Sequence, residues 1–352
     1  MSRRRVIAAA RRDTIGSMVI ARGRLGDGGL VVSRLGLGLA ALGRPGYITL
    51  GRSADLPAER TVEALYARTA EVLDAAYDAG VRYVDAARSY GRAEEFLARW
   101  LRERGHGREQ VTAGSKWGYR YTAGWQVDAS LHEEKELSLE RFRTQLAETR
   151  ALLGDALALY QIHSATAESG VLQDEPLLRA LVEARRTGAV RALGLTLSGV
   201  GSRHTLELAL ATRIDGERVF DAVQATFNVL EPSLRDVLGE ARAAGMGVIL
   251  KEVHANGRLT PANLLPADQP LRRRLAEIAD RCSLSADQLA IAFAASLVAA
   301  DVVLSGAVTT AQLRSHAAGI AVELDAATLA ELAELAEPPE AYWRARSALP
   351  WH

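Results

Sequence analysis

Four residues of complementary chemistry stand in short motifs spread over the first half of the chain. Asp85 and Tyr90 belong to Val84-Asp85-Ala-Ala-Arg88-Ser-Tyr90-Gly91, Lys116 to Gly114-Ser-Lys116-Trp117, and His163 to Tyr160-Gln-Ile-His163-Ser164. A phenol of pKa ~10 is a poor acid-base catalyst at neutral pH until a nearby cation stabilises its phenolate. Lys116 could supply that cation and Asp85 could orient the ammonium. Tyr90 would then act as general acid toward a carbonyl oxygen, with His163 as the hydrogen-bond donor that orients it. Such a quartet suits carbonyl reduction by hydride. Each residue alone fits a structural ion pair, a loop cap or a satisfied polar group equally well. Lysine is scarce, with Lys116, Lys135 and Lys251 the only ones among 43 basic residues. A lysine kept where arginine is the default marks a place that needs a compact ammonium with a shiftable pKa.

The elements that would position these residues follow a βα rhythm. Strand candidates are 33–38, 81–86, 111–116, 156–163, 190–197, 220–226, 247–253 and 302–306. Helical patterns lie between them at 61–79, 92–104, 137–153, 174–187, 203–211, 234–244, a pair within 271–297, and 310–318. Gly80, Gly154, Gly188 and Gly245 punctuate helix ends. Eight such units without a composition break predict one α/β domain, a single (β/α)8 TIM barrel over residues 18–337. Residues 1–17 read as a disordered arm and 338–352 as a tail. The turn signal Gly26-Asp27-Gly28-Gly29 predicts an N-terminal β-hairpin, 19–24 with 29–32, capping the barrel floor.

In a barrel, catalytic groups stand at the C-terminal strand ends, and Asp85, Lys116 and His163 fall at three successive ones. The long segments 39–60 and 117–135 follow the first and third strands and would lie over the same face, with Arg88, Trp117, Tyr119 and Trp125 as substrate-pocket candidates. Gly36-Leu-Gly38-Leu-Ala-Ala41 mimics a dinucleotide fingerprint, but Gly43-Arg-Pro45-Gly46 breaks the helix that it would need. The charge run Glu133-Glu134-Lys135-Glu136 reads as a solvated helical face.

Composition narrows the partners. Hydrophobic residues make up 48% and charged residues 24%, and 43 basic side chains balance 43 acidic ones. This leaves no electrostatic footprint for nucleic acid or a membrane surface and favours a small-molecule carbonyl or alcohol as partner. Cys282 is the sole cysteine, so no intrachain disulfide or cysteine metal cluster forms. The histidines lack metal-ligand spacing, and no metal is expected. With no apolar stretch long enough to span a bilayer, a cytoplasmic protein is expected. Self-association into a homo-oligomer stays open.

At Asp85 to Tyr90 and Gly91 the chain resembles the aldo-keto reductases, and Lys116, Tyr160-Gln-Ile-His163 and Val190-Arg-Ala-Leu-Gly194 continue the match over roughly residues 30–335. The resemblance implies that Asp85, Tyr90, Lys116 and His163 form a catalytic tetrad. It also implies a nicotinamide dinucleotide, NADP(H) before NAD(H), laid across the barrel mouth. Thr196, Gln224, Gly257, Arg258 and Leu259 fall in segments that resemble cofactor-binding ones. Gln224 also fits a buried polar group bonded to a neighbouring strand.

The departures are informative. Leu197 stands where the family often has asparagine, and Lys251 where an aromatic commonly stacks on nicotinamide. Gly306 and Gln312 replace a lysine and an arginine that hold the adenosine 2′-phosphate, and His316 replaces an asparagine near the adenine. Arg314 or Arg258 would have to supply the missing charge. The tail Tyr342 to Trp351 either folds back over the mouth as a substrate wall or packs on the barrel side or on a second subunit. The expected activity is NAD(P)-dependent hydride transfer on a small polar substrate, a sugar or a heterocyclic aldehyde or ketone. Two alternatives are a non-catalytic, cofactor-binding redox sensor and a hydride-based epimerase with Lys251 as an extra acid or base.

Overall fold

A computed structural model describes residues 20–352. The disordered arm expected at 1–17 lies outside the described residues, as does the start of the predicted hairpin. Eight parallel strands close into a barrel: β1 (Leu35–Gly38), β2 (Tyr83–Asp85), β3 (Thr112–Trp117), β4 (Leu157–Ala165), β5 (Ala192–Leu197), β6 (Ala222–Thr226), β7 (Gly247–Lys251) and β8 (Val302–Ser305). β8 pairs with β1, and every barrel neighbour is parallel, as right-handed βα crossovers require. This is a (β/α)8 barrel, and each of the eight strand candidates is one of its staves.

The helices between strands bury one apolar stripe each. Val62–Asp78 turns Leu65, Val72, Leu73 and Ala76 inward behind a Thr61 cap whose side chain accepts from Ala64 N. Glu175–Arg186 does the same with Leu177, Leu178 and Leu181 behind Asp174. Turns, not a helix, follow Gly38, so the dinucleotide-like glycines only end β1.

The hairpin Arg22–Leu25/Leu30–Ser33 closes the floor. Its Leu25, Leu30 and Val32 join Tyr83, Leu159, Ile249, Val302 and Leu304 in an apolar plug inside the barrel. Asp301 ties hairpin to barrel, accepting from Gly26 N and Val248 N, both at 3.0 Å. Above the plug the interior becomes polar. A side chain at Gly114 would collide with the Tyr83 phenol. Glycine there lets that phenol lie across the barrel and donate to Asp85 Oδ1 at 3.1 Å.

Elements with weak periodicity escape the sequence reading. They include the hairpin Tyr119–Tyr121/Glu133–Lys135 and the helices Ala326–Ala333 and Pro339–Ser347. The hairpin overturns the helical reading of Glu133 to Glu136. Glu133 turns to the mouth and pairs with Arg44 at 2.6 Å, and Lys135 Nζ donates to Ser164 O at 2.7 Å.

Asp301→Ala strands two backbone N–H groups at the floor, each worth about 1–3 kcal/mol when buried unpaired. A urea midpoint shift equivalent to about 3 kcal/mol is expected. A shift below about 0.5 kcal/mol, the range of neutral surface changes, would show that the hairpin is held by its apolar plug alone.

Candidate active site

Asp85 ends β2, Tyr90 stands in the turn that follows, Lys116 is next to last in β3, and His163 lies near the end of β4. The four converge at the C-terminal mouth. Lys116 Nζ donates to Asp85 Oδ2 and, at 2.9 Å, to Ala86 O. Asp85 Oδ1 accepts from Tyr83 Oη at 3.1 Å, Gln224 Nε2 at 2.9 Å and Gln161 Nε2 at 3.3 Å. Both charged side chains are at most 3% exposed. The ammonium lies 4.6 Å from the centroid of the Tyr90 ring, and the His163 ring meets that ring edge-on at 5.5 Å.

The electrostatics correct one expectation. Burial, reinforced by the Asp85 charge, pushes the Tyr90 phenol well above its ordinary value, and Arg44 opposes this only in part. Tyr90 therefore holds its proton in the resting site, with the Lys116 ammonium, offset in part by Asp85, still set against its ring. Burial and the cations Lys116, Lys251, Arg44 and Lys135 drive the His163 imidazolium well below its ordinary value. His163 is therefore neutral, with one ring nitrogen able to donate.

Asp85, Tyr90 and His163 line a cavity of about 640 Å³ that also meets Thr196, Gln224, Lys251, Gly257, Gly306, Gln312 and His316, while Lys116 is buried outside its lining. Thr196 Oγ1 accepts from Ser164 N at 2.8 Å. Gln224 lines the cavity while its amide nitrogen serves Asp85. Past Leu197, which is buried, the polar group at the end of β5 is Ser198. Asn256 and Gly257 take positive φ in the loop after β7, where a Gly257 side chain would press on the Leu50 backbone. The first long loop thus meets that loop over the cavity, with Leu50 N bonded to Asn256 O at 3.0 Å.

Six candidates stand elsewhere. Arg258 is locked between Asp268 and Glu337, with Nη2 at 2.7 Å from each, and Leu259 is core. Arg314 projects from the exposed face of helix Thr310–Gly319, outside the cavity lining. Arg88 is bound to Glu94 and Glu148, and Trp117 packs on Phe142 with no exposed surface. Trp125 packs on Phe96 and donates to Arg60 O at 2.8 Å. Of the pocket candidates only Tyr119 reaches the cavity.

The mouth is organised instead by Arg44 and the tail. The Arg44 guanidinium lies 4.8 Å from the Tyr47 ring centroid, 5.1 Å from that of Tyr90 and 5.0 Å from that of Trp351. Trp351 lines the cavity and stacks on His132 at 3.7 Å. His352 exchanges two backbone bonds with Tyr47, both at 3.1 Å. The tail therefore lies over the mouth, anchored by Arg346 on Glu252. Among the described residues no group of three or more His, Cys, Asp or Glu is arranged to hold a metal ion. No helix there is long and apolar enough to cross a membrane.

A closed βα barrel with a buried lysine–aspartate pair beneath a tyrosine and a neutral histidine has the architecture of an acid-base enzyme. The model of the aldo/keto reductase family matches residues 34–337, and the chain belongs to that family of nicotinamide-dependent oxidoreductases. A D-threo-aldose 1-dehydrogenase from a Pseudomonas species is 28% identical over 293 residues, 75% of this chain and 86% of its own length. The uncharacterized oxidoreductase YqkF of Bacillus subtilis is 27% identical over 179 residues, 49% of this chain and 47% of its own. The holo form of an aldo-keto reductase from Bacillus halodurans shares the fold at a TM-score of 0.70 and 19% identity, covering 90% of this chain and 97% of that one.

Burial alone would raise the Glu252 carboxyl, but Arg346 and Lys251 overcome it and hold the group down at about 2, against 4.5 ordinarily. A folded-state value below the unfolded one contributes stability that is complete above the unfolded pKa and lost as pH falls toward the folded value. That contribution is about 3 kcal/mol. Arg346→Met should therefore destabilise the protein at pH 6 by urea unfolding, with the gap to wild type narrowing as pH falls below about 4.5 and closing only near pH 2. A gap that does not depend on pH would contradict the tail anchor.

Proposed function

We propose that this protein moves a hydride between a nicotinamide cofactor and the carbonyl or alcohol carbon of a small, hydroxylated, sugar-like substrate, with Tyr90 as the proton-transferring group. The observation that carries the reading is the buried Lys116–Asp85 pair set against the Tyr90 ring, with neutral His163 alongside. A bound nicotinamide dinucleotide would supply or accept the hydride. In the reductive direction Tyr90, which retains its proton, gives it to the substrate oxygen. The nearby Lys116 ammonium stabilises the phenolate left behind, and Asp85 fixes that ammonium in place. His163 offers an N–H to the same oxygen, with Ser89 Oγ 3.4 Å from its Nδ1. In oxidation the proton runs the other way.

Support for a sugar-like substrate comes from the cavity lining beside the tetrad, where Tyr47, Tyr119 and Trp351 offer flat faces and the Arg44–Glu133 pair offers polar edges. The relative named as a D-threo-aldose 1-dehydrogenase agrees with that chemistry.

The lining fits a dinucleotide. Asn256 Oδ1 is buried without a partner, and space is open beside Gly306. The resemblance implies NADP(H), but the residues present favour NAD(H). Around the start of helix Thr310–Gly319 the lining carries Asp55, Asp287, Gln312 and Ser315. Gln312 Nε2 is bound to Asp55 Oδ2 at 2.7 Å. Arg52 also lines the cavity, yet it donates to the carbonyls of Ala41, Arg44, Pro45 and His352. A carboxylate with no free guanidinium suits ribose hydroxyls and repels a 2′-phosphate.

Two outcomes follow. Tyr90→Phe should lower turnover of aldoses by about 10³-fold while the cofactor dissociation constant stays within about threefold; parallel loss of both would make Tyr90 structural. In fluorescence titrations NADH should bind at least about tenfold tighter than NADPH, with Asp55→Ser/Gln312→Arg narrowing the gap. Tighter binding of NADPH by wild type would overturn the cofactor preference.

A further inference from the structure

Lys251 is the lysine for which the tetrad has no use. It ends β7 beside Thr226, its register partner at the end of β6, and its Nζ donates to Thr226 Oγ1 at 2.9 Å. The nearest carboxylate is Glu252, with Oε1 at 3.8 Å. That carboxylate already belongs to Arg346 of the tail helix Pro339–Ser347, whose Nε lies 3.1 and 3.0 Å from its two oxygens and whose Nη2 lies 2.5 Å from Oε1. Two cations thus share one anion.

The charges on the other packed elements do not redress the balance. Lys116 on β3 and Asp85 on β2 cancel each other, and His163 on β4 is neutral. One positive charge is left on the cavity wall at Lys251, whose side chain is 16% exposed. It lies close enough to the tetrad to help depress His163.

The reacting carbons of hydride donor and acceptor must approach within about 3.5 Å. A nicotinamide ring serving a carbon whose oxygen meets Tyr90 and His163 is therefore in the field of Lys251. The oxidised ring carries a positive charge that the reduced ring lacks, while the rest of the cofactor is unchanged.

We infer that Lys251 sets the redox preference of the cofactor site, so that it holds reduced cofactor more tightly than oxidised and makes the bound oxidised form the stronger hydride acceptor. In the oxidative direction the substrate carbon loses a hydride to the oxidised cofactor and the hydroxyl proton passes to a Tyr90 phenolate. The transfer removes the ring charge that Lys251 repels. The inference rests on the cofactor reading above.

The charge has a pH signature. Burial, with Arg346 and Lys116 beside it, pulls the Lys251 ammonium down to about 8, against the opposing pull of Glu252 and Asp85. The repulsion is present below that value and fades above it.

The test is titration of the full chain with NADH and with NAD+, followed by quenching of tryptophan fluorescence, at pH 6.5 and 9.5. NADPH and NADP+ are run in parallel. In wild type the preference for the reduced form at pH 6.5 should exceed that of Lys251→Met by about tenfold, and should shrink severalfold at pH 9.5. Lys251→Met should be flat with pH. Lys251→Arg restores a charge that does not titrate, so it should recover the preference and keep it at pH 9.5. Equal preference in wild type and Lys251→Met at pH 6.5 would overturn the inference while leaving the cofactor reading intact. Binding of none of the four nucleotides by wild type would overturn both.

Discussion

An ammonium and a carboxylate buried together inside the barrel would be costly if either lacked partners, because desolvation of each ion outweighs their attraction unless further hydrogen bonds complete the site. Here both ions have such partners. Asp85 accepts from Lys116, Tyr83, Gln224 and Gln161, and Lys116 also reaches Ala86 O. This arrangement dictates much around it. Gly114 lacks a side chain so that Tyr83 can cross to Asp85, and β6 presents a glutamine inward. Tyr90 is packed against the ammonium. The pair gives the mouth a fixed cation whose field toward the surroundings is cancelled by Asp85, while at short range it still faces the phenol.

Stability and chemistry are divided along the barrel axis. The floor is apolar, sealed by the hairpin and pinned by Asp301. The mouth is polar, assembled from loops and the tail, and held by charged contacts of long sequence separation: Arg44 with Glu133, Arg258 with Glu337, and Arg346 with Glu252. Arg52, whose guanidinium pKa is pulled down to about 9 chiefly by burial, knots the first long loop to the last residue through carbonyl oxygens. A cavity framed in this way has walls set by distant segments.

That division explains what could be read from the sequence. The strands and helices followed from apolar periodicity, and the meeting of Asp85, Lys116 and His163 followed from strand ends, because both signals are local. Contacts between distant segments were not readable. Nothing near Arg258 shows that Glu337 will claim it, and nothing near Trp117 shows that Phe142 will cover it. The direction of the Tyr90 shift was not legible because spacing reveals neither burial nor the Asp85 charge beside the phenol. Arg44, hidden in a Gly-Arg-Pro-Gly turn, gave no signal of three aromatic rings meeting around it. The residue run 133–136 looked helical because its charges gave no hint of the short hairpin that carries them.

The central claim is that the buried pair enables hydride chemistry at Tyr90. The double variant Asp85→Asn/Lys116→Met removes both charges and strands neither. Single-turnover transfer of deuterium from 4-deuterated NADH to an aldose, with NADH affinity measured on the same samples, isolates its effect. Wild type should place the label on the product carbinol carbon. The variant should do so about 10³-fold more slowly with NADH affinity within about threefold of wild type. Undiminished transfer by the variant would contradict the account.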